Sequence, residues 1–215
     1  MGGDHGLDQR RSIVHLISFQ ALPLFRFKRT RMSKLIHIAD PLGSRVAIGF
    51  DTPIAMLKAC HRKVHDQCET LQRLVPHLSA HGSDQAAAEA ATAVVRYFDI
   101  AAPKHHADEE EDLLPALFEA VAGSDAVCLR DMAEALHADH DALNQQWAAL
   151  RPLLCQVMAG QTVRLDAADV QAFATRYRAH IDFEEAEVLP MAERLLSVEA
   201  MDVIGLSMRR RRGSQ

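Results

Sequence analysis

The sequence carries the same run of metal-ligand residue types twice. HHADEEEDLLP begins at His105 and HIDFEEAEVLP begins at His180, so histidine, two glutamates, leucine and proline recur at the same offsets. The repeat also aligns Glu109 with Glu184. Because a spacing of four residues places two side chains on one helix face, each copy directs an imidazole and a carboxylate at the same point. Imidazole together with carboxylate suits iron, manganese or zinc.

Two further histidines, His61 and His140, occupy positions that belong to hydrophobic seams. Burying four imidazoles and two carboxylates together is strongly unfavourable unless cations compensate the charge. A closed structural zinc site takes four ligands, whereas six ligands in two related halves fit two metal ions better. We therefore expect two histidines on each metal, with Glu109 and Glu184 bridging and one coordination position open to a small ligand.

Long helices must carry these residues, and the apolar periodicity predicts four of them. The predicted helices span about residues 51–75, 83–120, 124–157 and 166–195. Pro103 and Pro115 predict kinks in the second helix. Short connections favour antiparallel neighbours, so the expected fold is all-α, an up-down-up-down four-helix bundle. In such a bundle the four histidines lie within about two turns of one level.

Residues 1–50 differ from the rest of the chain. Gln9–Ala39 contains no acidic residue, and basic residues surround the apolar run Ile13–Phe25. That run is too short to span a bilayer and lacks a small-residue cleavage site, so we expect neither export nor a membrane span. We predict a basic, poorly ordered arm before a bundle domain at residues 51–215. The alternative, that Met32 is the true start, stays open.

Composition limits the classes of partner. The chain has 215 residues, 48% hydrophobic and 25% charged, which is typical of a soluble globular protein. A formal net charge of -5 gives no general reason to expect nucleic acid or an acidic membrane as partner. Four cysteines without a C-x-x-C pair indicate a reducing compartment, and we expect a cytoplasmic location. The run Arg209–Arg212 is interpreted as a solvated tail.

The remaining histidines fall outside the seams or in the first connection and are interpreted as ordinary polar residues rather than ligands. They include His65, His77, His81, His106 and His137. Tyr177 and Trp147 are expected to pack in the core. Tyr177 is also the one candidate near the site for a proton donor.

Four segments together resemble the hemerythrin-like family, which carries the HHE cation-binding domain. They read ACHRKVHDQCETL, YFDIAAPKHHADEEEDLLPAL, ADHDALNQQWAAL and RYRAHIDFEEAEVLP, and the likeness covers about residues 51–212. The resemblance implies a four-helix bundle with two non-haem iron ions, bridged by oxide or hydroxide, that handles dioxygen, nitric oxide or peroxide. By motif position the implied ligands are His61, His105, Glu109, His140, His180 and Glu184.

Two positions depart from the classical oxygen carriers of that family. Those proteins have an extra histidine where this chain has Leu136, and an aspartate where it has Glu184. The site resembles the variety with four histidines and two glutamates, which argues against reversible oxygen carriage.

The leading hypothesis is therefore a di-iron protein that binds or reduces a small oxidant. Turnover as an oxidase, or as a peroxide- or nitric-oxide-detoxifying enzyme, stays open because it needs a substrate route and a proton donor. A second hypothesis is an iron sensor or buffer whose bundle is stabilised by the metal. A third is a helical adaptor with a polar core layer and no redox chemistry.

Overall fold

The computed structural model describes residues 36–37 and 47–213, and helices account for most of them. The α-helices are α1 (Pro53–His81), α2 (Gln85–Arg96), α3 (Ala102–Asp108), α4 (Leu114–Ala120), α5 (Ser124–Met158), α6 (Ala167–Phe183), α7 (Leu189–Leu195) and α8 (Val198–Arg211). π-Helical turns lie at Tyr97–Ala101, Glu109–Leu113 and Glu184–Val188. Two short strands, β1 (Ile36–His37) and β2 (Ala47–Ile48), pair antiparallel. The predicted all-helical class is confirmed.

Side chains at the predicted starts explain where two of these helices begin. The Asp84 carboxylate accepts a hydrogen bond from the backbone N–H of Ala87 at 2.8 Å, and Asp166 accepts from Ala168 at 2.7 Å. Each bond satisfies an N–H group that the first helical turn leaves without a partner. The predicted end of α1 near residue 75 is wrong, because the helix continues through Pro76 to His81. Pro76 lies on the exposed face, where water can reach the carbonyl group that loses its donor.

The second and fourth predicted helices each contain π-helical turns that end two residues before a proline. Pro103, Pro115 and Pro190 are the second residues of α3, α4 and α7. In each case the N–H of the residue before the proline donates to the carbonyl five residues back. Since proline has no N–H of its own, this wider turn restores regular hydrogen bonding around the missing donor. Glu109 and Glu184 are the first residues of two of these turns.

The long helices contact one another in a closed ring, in which α1 and α5 each pack against both α2 and α6. Their buried apolar residues form two clusters. One contains Val64, Val94, Leu150 and Phe173, and the other contains Leu57, Leu117, Leu129 and Leu189. Along each long segment of the ring, the chain passes from one cluster to the other through a candidate metal ligand. The candidate ligands therefore form a polar layer between two apolar clusters.

Three of the four C-terminal arginines, Arg209, Arg211 and Arg212, pair with acidic side chains, so the interpretation of the run as a solvated tail is wrong. They belong to the end of α8, which packs against α1 and α3. Arg211 and Arg212 both bind the carboxylate of Asp108, which is fully buried. The positive run alone indicates a tail, because the sequence does not show that a buried acid faces it.

The prediction of a basic, poorly ordered arm falls almost wholly on residues outside the described ranges. Within those ranges, Phe50 contacts α8: its carbonyl oxygen lies against Gly205, and its ring lies 5.6 Å from the Arg209 guanidinium. Across the described residues no helix combines the length and the apolar character needed to cross a membrane.

Candidate metal centre

All six predicted ligands meet in one buried cluster. α1 carries His61, α5 carries His140, and the two H-x-x-x-E motifs span the junctions from α3 and α6 into the π-helical turns. Each of the six residues is at most 2% exposed. The motif spacing works as the sequence predicts: His105 Nε2 lies 3.2 Å from Glu109 Oε1, and His180 Nε2 lies 3.2 Å from Glu184 Oε1.

The cluster divides into two groups of four that share both glutamates. One group contains His61, His105, Glu109 and Glu184, and the other contains His140, His180 and the same two glutamates. In each group one nitrogen or oxygen from every residue lies within 4.8 Å of the others. This arrangement matches two metal positions with Glu109 and Glu184 reaching both.

Contacts between helices link the two groups. Glu184 reaches from its own motif to His61, with 3.0 Å between Oε2 and Nε2. Glu109 reaches toward His140, with 3.5 Å between Oε2 and Nε2. The Nε2 atoms of His140 and His180 are 3.2 Å apart. Nitrogens this close inside an apolar core need a shared proton or a shared cation between them.

The polar atoms in this layer fit a pair of cations. Among the described residues, both carboxylate oxygens of Glu109, both of Glu184 and Nε2 of His61 are buried without a hydrogen-bond partner. Leaving buried carboxylates without partners is strongly destabilising, whereas metal coordination satisfies the same lone pairs. The donor set of imidazole and carboxylate is one that iron and manganese accept. The residues present therefore fit the metals that the sequence predicts.

The electrostatics of the cluster also favours bound cations. Burial raises the pKa of Glu109 well above its ordinary value, and the charge of Glu184 raises it further. Burial opposes protonation of His61, but the neighbouring carboxylates of Glu109 and Glu184 outweigh burial and raise its pKa to about 10. Burial, followed by the charge of His180, lowers the pKa of His140 to about 4. The carboxylates thus hold positive charge at the layer, and divalent cations supply that charge without protons.

Two glutamates that were not among the predicted ligands, Glu110 and Glu185, hold the outer nitrogens of two histidines. His61 Nδ1 donates to Glu185 Oε1 at 2.8 Å, and His140 Nδ1 donates to Glu110 Oε1 at 2.5 Å. Each is the residue directly after a shared glutamate, so the two copies of the motif use the same residue in the same way. A carboxylate on the outer nitrogen fixes the tautomer and leaves Nε2 free for a metal. The doubled glutamate of the repeat was the signal for this pair.

His106 is a third residue that the sequence analysis missed. It was interpreted as an ordinary polar residue outside the seam, yet it is 7% exposed and its ring stacks on His140, with 3.9 Å between centroids and 13° between planes. One nitrogen each of His106, His140 and His180 lie within 4.8 Å of one another. Burial, followed by the charges of those two histidines, lowers the pKa of His106 to about 3.

The other histidines set aside in the sequence analysis show no such burial. His65, His77, His81 and His137 are partly or fully exposed, and His77 pairs with Asp84. Tyr177 and Trp147 pack with Phe98 and Phe173 in the aromatic part of one apolar cluster, as predicted. Tyr177 also borders the site, with its ring centroid 6.4 Å from that of His180.

Comparison with known proteins agrees with this geometry. An uncharacterized protein of Haemophilus influenzae is 32% identical over 163 residues, which cover 76% of this chain and 91% of that relative. The profile of the hemerythrin HHE cation binding domain matches residues 52–192, a range that includes all six candidate ligands. The chain therefore belongs to the hemerythrin HHE cation-binding domain family.

Proposed function

We propose that this protein holds two non-haem iron ions and binds or reacts with a small oxidant, namely dioxygen, nitric oxide or peroxide, in sensing or detoxification. The observation that carries the proposal is the pair of four-ligand groups that share Glu109 and Glu184. His61 and His105 would complete one iron site, and His140 and His180 the other. Two adjacent irons with an open coordination position would supply electrons and a binding place for such a molecule.

The donor set supports iron over structural zinc. Every member of the two groups is a histidine or a glutamate, and no cysteine belongs to the metal-ligand groups found in the described part of the chain. Structural zinc sites are commonly closed and rich in thiolate. Each metal would have four protein ligands, two histidines and the two shared glutamates, which leaves room in a six-coordinate iron site for an oxide or hydroxide bridge and a small ligand.

The proposal includes an antiparallel bundle as the frame of the site. Contacts between helices support this arrangement. Early in α1, Lys58 Nζ lies 2.9 Å from Glu193 Oε1, and later in α1, Gln72 Nε2 donates to Gln171 Oε1 at 2.9 Å. The residue number rises on α1 as it falls on the partner segment. Likewise, His77 contacts Asp84 near one end of the α1–α2 pair, and Tyr97 donates to the Cys60 carbonyl farther along.

The chain's own residues support this function by orientation and by exclusion of water. Glu110 and Glu185 hold His140 and His61 so that their Nε2 atoms face the layer. Apolar clusters on both sides of the layer leave the carboxylates without competing hydrogen-bond donors. Small uncharged oxidants partition into such surroundings more readily than ions do. We keep the cytoplasmic location as part of the proposal.

The test is metal content per chain by elemental analysis on protein purified from iron-supplied cells, with absorption spectra before and after anaerobic reduction. We expect about two irons per chain and oxo-bridge absorption that bleaches on reduction, followed by a spectral change when the ferrous protein meets O2, NO or peroxide. One zinc per chain, or no metal after reconstitution with ferrous iron, would contradict the proposal. That outcome would leave a helical adaptor without redox chemistry.

A second candidate, an iron sensor or buffer, is favoured by the unpartnered buried carboxylates of Glu109 and Glu184. A protein whose core charges are compensated only by metal gains much of its stability on loading. The sensor therefore predicts a large rise in melting temperature with iron and no spectral response to O2, NO or peroxide. The leading proposal predicts both the rise and the response.

A further inference from the structure

His106 makes the two halves of the centre unequal. The repeat places Ile181 at the position that corresponds to His106, so only the first copy of the motif carries an imidazole there. Both side chains are buried, His106 at 7% and Ile181 at 3% exposure. Among the described residues, Nε2 of His106 is buried without a hydrogen-bond partner. A buried polar atom without a hydrogen-bond partner next to the candidate ligands is expected to gain a partner when a functional ligand binds.

The geometry speaks against His106 as a further metal ligand. A metal lies close to the plane of every imidazole that binds it, and the rings of His106 and His140 are nearly parallel and one stacking distance apart. Two stacked rings cannot share a metal that lies in both planes. A stacked ring can, however, face a small molecule bound to the metal beside the neighbouring imidazole.

The surroundings fix this ring in place. One face of His106 stacks on His140, and the Tyr177 ring lies 6.3 Å away at an angle of 30°. His140 is itself fixed by Glu110. A side chain held between aromatic neighbours loses little entropy when it forms a hydrogen bond, which is the property of a preorganised binding residue.

We propose that His106 hydrogen-bonds, through Nε2, a small polar or anionic molecule bound at the His140 and His180 half of the centre. The class includes azide, superoxide, peroxide and nitric oxide, each of which has lone pairs that accept an imidazole N–H. This inference rests on the proposed function, because the molecule binds only where a metal is present. It assigns the exogenous ligand to one half of the centre.

The experiment uses the full chain loaded with iron, oxidised, and titrated with azide, whose binding is followed through its charge-transfer absorption. The variants are H106I, which copies the residue of the second motif, and H106Q, which keeps a hydrogen-bonding side chain. H137Q, a change at an exposed histidine, is the control. Iron per chain and melting temperature are measured for every variant.

We expect two irons per chain in all four proteins and an azide Kd about tenfold higher for H106I, the effect of one lost hydrogen bond. H106Q regains part of the affinity, and H137Q matches the wild type. Loss of one iron in H106I and H106Q would overturn the proposal by making His106 a ligand. An unchanged azide Kd in H106I would overturn it as well. A wild-type protein without two irons would instead end the proposed function on which it rests.

Discussion

Nδ1 of His61 lies 2.8 Å from Oε1 of Glu185, and this contact joins α1 to the residue that follows Glu184. Glu110 makes the corresponding contact with His140. The two-motif architecture therefore repeats an entire unit: a histidine and a shared glutamate on one segment, followed by a glutamate that orients a histidine on another. The shared glutamate and the orienting glutamate come from the same turn, so we expect a displacement of that turn to affect both candidate metal positions.

Removing the orienting carboxylate is expected to weaken metal binding without removing a ligand. For Glu185→Ala we predict iron affinity about ten- to a hundredfold lower, because His61 loses the partner that fixes its tautomer. Competition with a chelator of known affinity measures the change. Glu187→Ala, two residues along and exposed, is the matched control. Equal affinities for the two variants would contradict the orienting role.

Glu109→Gln should separate the cost of buried charge from the gain on metal binding. The pKa of Glu109 is raised in the folded protein, so the metal-free fold prefers its protonated form and loses stability as pH rises above about 4.5. The glutamine variant lacks this titration. We predict that the stability of metal-free Glu109→Gln relative to the metal-free wild type rises with pH, by at most about 1.4 kcal/mol per pH unit.

Urea unfolding of the chelated proteins between pH 5 and 8 gives this difference. With iron added, the wild type should gain stability and Glu109→Gln should gain much less, because a shared ligand is missing. A relative stability that falls with pH, or an equal gain from iron, would count against the role of Glu109.

The buried acid Asp108 should make α8 part of the cooperative fold. Arg212 donates twice to Asp108, and Arg211 donates to it at 2.5 Å. For Arg212→Met we predict a loss of about 3 kcal/mol in the free energy of unfolding, because a fully buried carboxylate loses one of its two cations. Arg210→Met is the control, since Arg210 is exposed and forms no ion pair within the described ranges. Chemical denaturation compares the two, and equal stabilities would refute the prediction.

The contact between Gly205 and Phe50 predicts a steric effect. A Cβ atom at Gly205 would overlap the carbonyl oxygen of Phe50, a backbone atom that cannot rotate away. Gly205→Ala should therefore destabilise the protein by about 1–3 kcal/mol. Gly49→Ala is a close control, because a Cβ there meets nothing within 4 Å. If thermal melting shows the same change for both variants, α8 does not pack on Phe50 as described.

Cysteine reactivity should follow burial. Burial raises the pKa of the Cys68 thiol to about 12, so about one molecule in ten thousand carries the reactive thiolate at pH 8. Cys128 is exposed. We predict that a disulfide reagent at pH 8 modifies Cys128 within minutes and Cys68 only after unfolding. Cys128→Ser should abolish the fast phase and Cys68→Ser should leave it intact; the reverse pattern would show that Cys68 is accessible.

Much of the metal centre follows from local sequence spacing. A histidine and a glutamate four residues apart lie on one helix face whatever the rest of the chain does, so each H-x-x-x-E motif predicts its own pair of ligands. His61 and His140 were found because a polar residue in an apolar seam must point into the core. The starts of α2 and α6 follow for a similar reason, since Asp84 and Asp166 cap helices through bonds to residues two or three positions away.

Other features depend on which helices contact each other and on the level and rotation at which they do so. The tertiary structure alone decided those features. Glu185 and His61 are 124 positions apart, and Arg212 and Asp108 are 104 apart. Nothing local distinguishes Glu185 from a glutamate that contacts only solvent, or the terminal arginines from a solvated tail. The π-helical turn at Glu109–Leu113 adds to the difficulty, because it shifts the phase at which later residues face the core. Short-range periodicity therefore identified the candidate ligands, whereas packing between helices determined the residues that orient and surround them.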